Sequence, residues 1–159
     1  MFLVDSNVFI EAKNTYYHFD VVPGFWSWIE AQHSSGLLFS VTPVLDELTR
    51  GNDELSEWAT SLPEGFFLEP DEDTAHSMSQ LSHWATTNKQ FRDTAVQTFL
   101  ASADYILVAY ADSHGFTVVS QEVAAPESKA SIKIPDACKF MGVPHLHIFE
   151  WIRREGAKF

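Results

Sequence analysis

Four carboxylates occupy positions where chemistry is plausible. Asp5 ends the apolar run Phe2-Leu3-Val4 and precedes Ser6-Asn7-Val8-Phe9-Ile10. Glu47 lies in Thr42-Pro43-Val44-Leu45-Asp46-Glu47-Leu48. Asp104 opens the apolar segment that continues Tyr105-Ile106-Leu107-Val108, and Glu122 stands two residues beyond Val118-Val119-Ser120. Each reads as a junction between a strand and a helix or loop, and in an open α/β sheet the carboxyl ends of the strands are where ligands gather. Four like charges on one rim repel one another unless a divalent cation neutralises them, so a metal site is the economical expectation. Taken singly, Asp104 is an ordinary helix-start charge favoured by the helix dipole, Glu47 a solvated helix residue and Glu122 a loop acid. Asp5 is harder to place, because a charge on a buried strand needs a partner. The joint pattern carries the expectation.

Positioning these acids requires an alternation of strands and helices. Residues 2–5 read as a buried strand and 6–15 as a helix capped by Ser6. Pro23 starts a helix that Gly36 stops. Residues 37–41 form a strand, and Thr42-Pro43 caps and opens a helix over 44–50. Further helices are predicted over 54–61, 71–86, 91–100 and 103–114, the last capped by Ser102 and ended by Gly115. Strands follow at 66–68, 116–120 and 145–148, a loop at 121–133, and helices at 135–141 and 149–155. Val44 and Leu48, four apart, are predicted to pack on the sheet and leave Glu47 beside that stripe. Strands separated by helices imply a parallel sheet covered on both faces. The expected fold is therefore α/β, a three-layer α/β/α sandwich with a central, mainly parallel sheet of four to five strands, in one domain over 1–159.

Composition narrows the function classes. With 159 residues and 45% hydrophobic content, the chain can bury one substantial core. No basic or apolar leader and no bilayer-length apolar stretch is read, so the expectation is a soluble, cytoplasmic protein without a membrane partner. One cysteine, Cys138, excludes an internal disulfide and a thiolate zinc cluster; it is expected to be a small buried residue. The net charge of −12 runs against avid nucleic-acid binding. Its distribution is uneven: residues 1–120 hold 17 acids and 4 bases, residues 121–159 hold 5 acids and 6 bases. Lys129, Lys133, Lys139, Arg153, Arg154 and Lys158 thus make the only cationic region, a solvated surface or a grip for a phosphate backbone.

Other candidates are weaker. Asp112 lies eight residues beyond Asp104, about 12 Å along a helix, and should point away from the rim. Asp46 is turned roughly 100° from Glu47. Asp136 reads as a first-turn acid that could line the cleft. His145 and His147 share a strand face without a third ligand, the tryptophans read as core, and Tyr16-Tyr17 could stack on bases.

The ordered motifs Phe2–Ile10, Val44–Leu48, Ala103–Ala111 and Val118–Glu122 resemble a PIN domain over essentially the whole chain. The long loop and the segment from Lys133 to Cys138 resemble a PIN-like branch paired with helix-turn-helix antitoxins. The resemblance implies a metal-dependent ribonuclease, the toxin half of a type II toxin–antitoxin pair as in the VapC group, with RNA as substrate, an antitoxin as partner and a homodimer as assembly. It implies Asp5, Glu47 and Asp104 as the three core acids and Glu122 as the fourth, where the family more often has aspartate. Ser120 occupies the family's strand-end hydroxyl position, and Asn7 a polar position able to orient Asp5. Hard oxygen ligands without a histidine or thiolate cluster select Mg²⁺ or Mn²⁺. Two alternatives stand beside this: a PIN fold used only for protein interaction, and an aspartate-nucleophile phosphohydrolase. The latter is disfavoured by Asn7 where a second aspartate is usual and by the lack of a glycine-rich phosphate loop.

Overall fold

Five short strands, the central three mainly apolar, set the architecture. A computed structural model describes all of residues 1–159. In it β1 (Phe2–Val4) is buried along its whole length. It is flanked by β2 (Leu38–Val41) on one side and β4 (Thr117–Ser120) on the other, with β3 (Phe67–Leu68) and β5 (His145–His147) at the edges. The order is β3-β2-β1-β4-β5 and every pair is parallel. Leu3 pairs with Phe39 on one side and Val118 on the other. A parallel sheet needs cover on both faces, which explains why β1, β2 and β4 are apolar runs rather than alternating ones.

The helices supply that cover. They are α1 (Ser6–Glu11), α2 (Pro23–Ser34), α3 (Thr42–Leu48), α4 (Glu54–Ser61), α5 (Glu72–Thr87), α6 (Asp93–Leu100), α7 (Ala103–His114), α8 (Ile134–Met141) and α9 (Ile148–Arg154). Connections from β1 to β2 to β3 run one way across the sheet, and those from β3 to β4 to β5 the other. Right-handed crossovers therefore place the two sets of helices on opposite faces, giving a three-layer α/β/α sandwich. One layer is aromatic: Trp58 of α4 meets Phe9 of α1 and Trp26 of α2, with ring centroids 5.3 and 4.7 Å apart. Trp28 of α2 meets Trp151 of α9 at 4.6 Å. On the other face α7 lies on β2 and β4, with α5 and α8 packed beside it. One apolar core joins both layers, and no helix is long and apolar enough to cross a membrane.

Several boundaries differ from the sequence reading, each for a local reason. The helix expected over 6–15 is α-helical only to Glu11 and continues as a π-helical turn over Ala12–Tyr16. Its cap is Asp5, not Ser6: the Asp5 carboxylate accepts from the Asn7 N–H. Thr42 does not cap α3 but is its first residue, its hydroxyl turned to Glu69. Ser102 stands at the cap position of α7 yet donates to the Phe99 carbonyl instead of capping. The helix expected from Phe91 starts at Asp93, because the Arg92 N–H is drawn to the Lys129 carbonyl at 2.9 Å. Asp71 precedes α5 as part of a capping box. Gly115, at φ 72°, closes α7 in the left-handed conformation that favours glycine.

Candidate functional site

The strand order reverses direction between β1 and β4, and the crevice outside their carboxyl ends is the ligand position of an open α/β sheet. Asp5 is the residue after β1. Its N–H continues the ladder to the Val119 carbonyl at 3.0 Å, while its side chain turns into the crevice entrance and is fully buried, at 0% exposure. Only neutral donors serve that carboxylate: the Asn7 N–H at 3.3 Å and the Ser6 hydroxyl at 3.4 Å. Burial, then the neighbouring charges of Asp104, Glu122 and Glu47, push its pKa well above the ordinary carboxylate value, against a small opposing pull from the Asn7 amide.

The other three acids reach the same place from three different elements. Val44 and Leu48 bury one side of α3, which turns half-buried Glu47 to the rim. There it accepts a 2.6 Å hydrogen bond from the Ser6 hydroxyl and a long one, 3.5 Å, from the Ala103 N–H. Glu47 thus takes the place that Ser102 leaves open at the start of α7, where unpaired amides and the dipole favour an anion. Asp104 sits in the first turn of that helix. Burial, reinforced by Glu122 and Glu47 and opposed by Lys133, raises its carboxyl to about 7. Glu122 lies beyond β4 on a backbone turn held by its own N–H to the Ser120 hydroxyl, 3.1 Å. Its carboxylate accepts from the Ile134 N–H at 2.6 Å and stands 3.6 Å from the Lys133 ammonium.

Helix starts therefore converge on the rim and the acids serve them. The Asp5 side chain caps α1, Glu47 from α3 reaches the first amide of α7, Asp104 lies in the first turn of α7, and Glu122 from the loop accepts from the first amide of α8. A cavity of about 180 Å³ opens beside the cluster, with Asp104, Glu122, Lys133, Ser102 and Ser131 in its wall. The donor set is all oxygen, which suits a hard divalent cation, and Lys133 is the cation ion-paired within it. As the side chains stand, however, no three acids are placed to ligate one ion. Glu47 is engaged with Ser6 and Ala103, Glu122 with Ile134 and Lys133.

Ser6 is the residue whose part the sequence did not reveal; Lys133, one of the cations read as a possible phosphate grip, is paired with Glu122. Ser6, 2% exposed, is the one hydroxyl touching both Asp5 and Glu47. A serine directly after a buried aspartate was the available signal, and it reads equally as a helix cap. Asn7 serves Asp5 through its backbone N–H, while its own side chain is exposed and does not orient the carboxylate. Ser120, fully buried, holds both the Glu122 N–H and the His145 ring, 2.8 Å away. His147 caps α9. Asp112 is away from the cluster, accepting from Ser77, and Asp46 is exposed. Asp136 accepts from the Ala125 N–H and so pins the long loop. Cys138 is buried, its thiol pushed up to about 12 by desolvation and by Glu122. Of the tyrosine pair, Tyr17 stacks on Phe25 in the core and Tyr16 is exposed.

Replacing Ser6 by alanine removes the hydroxyl that donates to Glu47 and touches Asp5, and leaves the half-buried Glu47 carboxylate short of a partner. The expected loss is about 1–3 kcal/mol of stability, read as a lower denaturation midpoint at neutral pH in EDTA. An unchanged midpoint would show that the hydroxyl does not hold Glu47.

Comparison with known proteins returns one family: residues 2–159 match the family model described as Domain of unknown function (DUF4411). No curated protein and no solved structure matches the sequence.

Proposed function

The chain belongs to the DUF4411 family, whose description assigns no activity, and from the acid cluster we propose a PIN-like, Mg²⁺- or Mn²⁺-dependent endoribonuclease. One observation carries the reading: a wholly buried aspartate faces three other acids with Lys133 as the opposing cation. Buried like charges without compensation are costly, and a hard cation relieves that cost. Asp5, Glu47, Asp104 and Glu122 would hold it, the two glutamates exchanging their present amide and hydroxyl partners for it. When bound, such an ion supplies an activated water and a countercharge for the phosphodiester.

The protein's own residues do the rest. Ser6 keeps Asp5 and Glu47 side by side, the α1 amide orients Asp5, and Ser120 fixes the turn that presents Glu122. Lys133, freed from Glu122, would meet a non-bridging phosphate oxygen. In-line attack of water on phosphorus, with rupture of the bond to the 3′ oxygen and protonation of that oxygen, leaves a 5′-phosphate and a 3′-hydroxyl. The test is incubation with a total RNA pool. Fragments bearing 5′-phosphates are expected with Mn²⁺ or Mg²⁺ and none with EDTA; cleavage that is indifferent to EDTA, or absent with both metals, overturns the reading.

The same reading places the protein in the cytoplasm, as the toxin of a type II pair and as a homodimer. A helix-turn-helix antitoxin would insert an arginine or lysine among the acids, an ion pair favoured by the acidic surface. Isolation of the native complex tests this: a partner cation in contact with Asp5 or Asp104 is expected, and a complex that leaves the cluster untouched contradicts it.

A second reading has its own support. Glu47 and Glu122 cap α7 and α8, so part of the cluster serves the fold. A PIN-like interaction module would need no more than that, but it leaves buried Asp5 without a role, since asparagine caps a helix as well.

A further inference from the structure

A second cavity, of about 320 Å³, is lined by Trp84, Phe91, Phe140, Gln90, Asp136 and Lys139 and by Ala125 and Pro126 of the long loop. Three aromatic rings make its wall. Trp84 of α5 meets Phe91 edge-on at 5.4 Å with planes at 77°, and Phe140 of α8 stacks on Trp84 at 4.8 Å with planes only 11° apart. Phe91 braces Trp84, so the stack is held in place rather than free to turn. Phe140 is nevertheless 47% exposed, which leaves ring surface available to a third planar group.

The loop side of the groove is equally fixed. Gln90 donates to the carbonyls of Pro126 and Ser128 at 2.6 and 2.7 Å, and the Arg92 N–H holds the Lys129 carbonyl. Two crossed bonds tie the loop to the start of α8: Glu122 to the Ile134 N–H, and Asp136 to the Ala125 N–H. Glu122 belongs to the acid cluster and Ala125 to the groove, and three residues span at most about 11 Å. One strand of substrate can therefore cover both.

We propose that this groove binds a nucleobase of single-stranded RNA, stacked on Phe140, beside the phosphate presented to the acid cluster. The inference rests on the ribonuclease reading for the phosphate at the acid cluster, not for the stacking itself. Base–aromatic stacking is indifferent to sequence because every base has a π-face. Charge permits the same occupant. In the groove Lys139 is matched by Asp136, and in the adjoining loop Lys129 and Lys133 are matched by Glu122 and Glu127, so this region is close to neutral. The remainder of the chain is strongly acidic: residues 1–120 carry 17 acids against 4 bases. A polyanion is tolerated here and repelled elsewhere. An amide, a carboxylate and an ammonium on the rim offer both donors and acceptors to base edges.

The test measures binding of a labelled oligoribonucleotide to the full-length D5N chain, which keeps the strand uncut, in the presence of Mg²⁺. F140A is expected to weaken binding roughly tenfold, F140W to restore it, and an abasic oligonucleotide to bind the parent as weakly as the normal one binds F140A. Because Phe140 is half exposed, F140A should fold, and its thermal midpoint checks this. Equal affinity of F140A and parent, a loss that F140W does not restore, or no binding of the oligonucleotide to D5N overturns the proposal. The two readings fail separately. Wild-type protein that binds through Phe140 but never cleaves removes the nuclease reading alone; cleavage with unchanged binding in F140A removes the groove alone.

Discussion

Asp5→Asn is expected to lower metal-dependent RNA cleavage by about 10³-fold or more while leaving the fold intact. On the ribonuclease reading the activity loss follows from removing a charged oxygen that would hold the cation, whose contribution would be several kcal/mol. The intact fold follows from the geometry around the residue. The side chain accepts one N–H at the start of α1 and stands beside one hydroxyl, and asparagine is as good a cap as aspartate. Neutralisation also removes the charge repelled by Asp104, Glu122 and Glu47, so the metal-free variant should melt higher than wild type at neutral pH. Cleavage rate and thermal midpoint together decide. Full activity in the variant ends the catalytic assignment, and a large drop in midpoint means that Asp5 is structural.

The second large effect is a stability that falls as pH rises. Asp5 and Asp104 both titrate higher in the folded chain than in the unfolded one, Asp104 from 3.8 to about 7. The folded protein therefore holds more protons between those values, and the stability these groups contribute is full below the ordinary carboxylate pKa and lost as pH rises through the folded one. For Asp104 the shift corresponds to at most about 4 kcal/mol, or on the order of 10 °C in a chain of this size. Metal-free protein should melt lower at pH 8 than at pH 5. Mn²⁺ competes with those protons, so its stabilising effect should be larger at pH 8. At a hundredfold excess over its dissociation constant it amounts to about 2.7 kcal/mol, or roughly 5–10 °C. Asp5→Asn should flatten both responses. A midpoint that climbs from pH 5 to 8 in EDTA, or a metal effect independent of pH, contradicts the account.

The strand ends were legible because apolar runs and the residues that break them are local signals. Phe2-Leu3-Val4 and Val118-Val119-Ser120 announce buried parallel strands, and the order of helices between strands already implies a doubly covered sheet. The site was legible only as a set of positions. That Asp5, Glu47, Asp104 and Glu122 influence one another is a property of the sheet's reversal point, which brings together residues more than a hundred apart in the chain. What each carboxylate touches was not legible. Glu47 reaches the Ala103 amide because α3 and α7 pack against each other, and this tertiary contact displaces the local cap expected from Ser102. The early end of α1 as regular α-helix has no comparable signal in Ala12–Tyr16, and we have no physical account of the π-helical turn there. The groove at Phe140 was not legible for a related reason. Trp84 and Phe140 lie on different helices, so their spacing in the chain says nothing of their stacking.

The account stands on the acid cluster being a seat for a hard divalent cation, and the most direct measurement is a Mn²⁺ titration of the wild-type and Asp5→Asn chains, followed by the electron paramagnetic resonance signal of the free ion. Saturable uptake by wild type at pH 8, competed by Mg²⁺, weakened at pH 5 and lost in Asp5→Asn, is the expected result. No saturable uptake by wild type, or uptake that Asp5→Asn leaves unchanged, contradicts it.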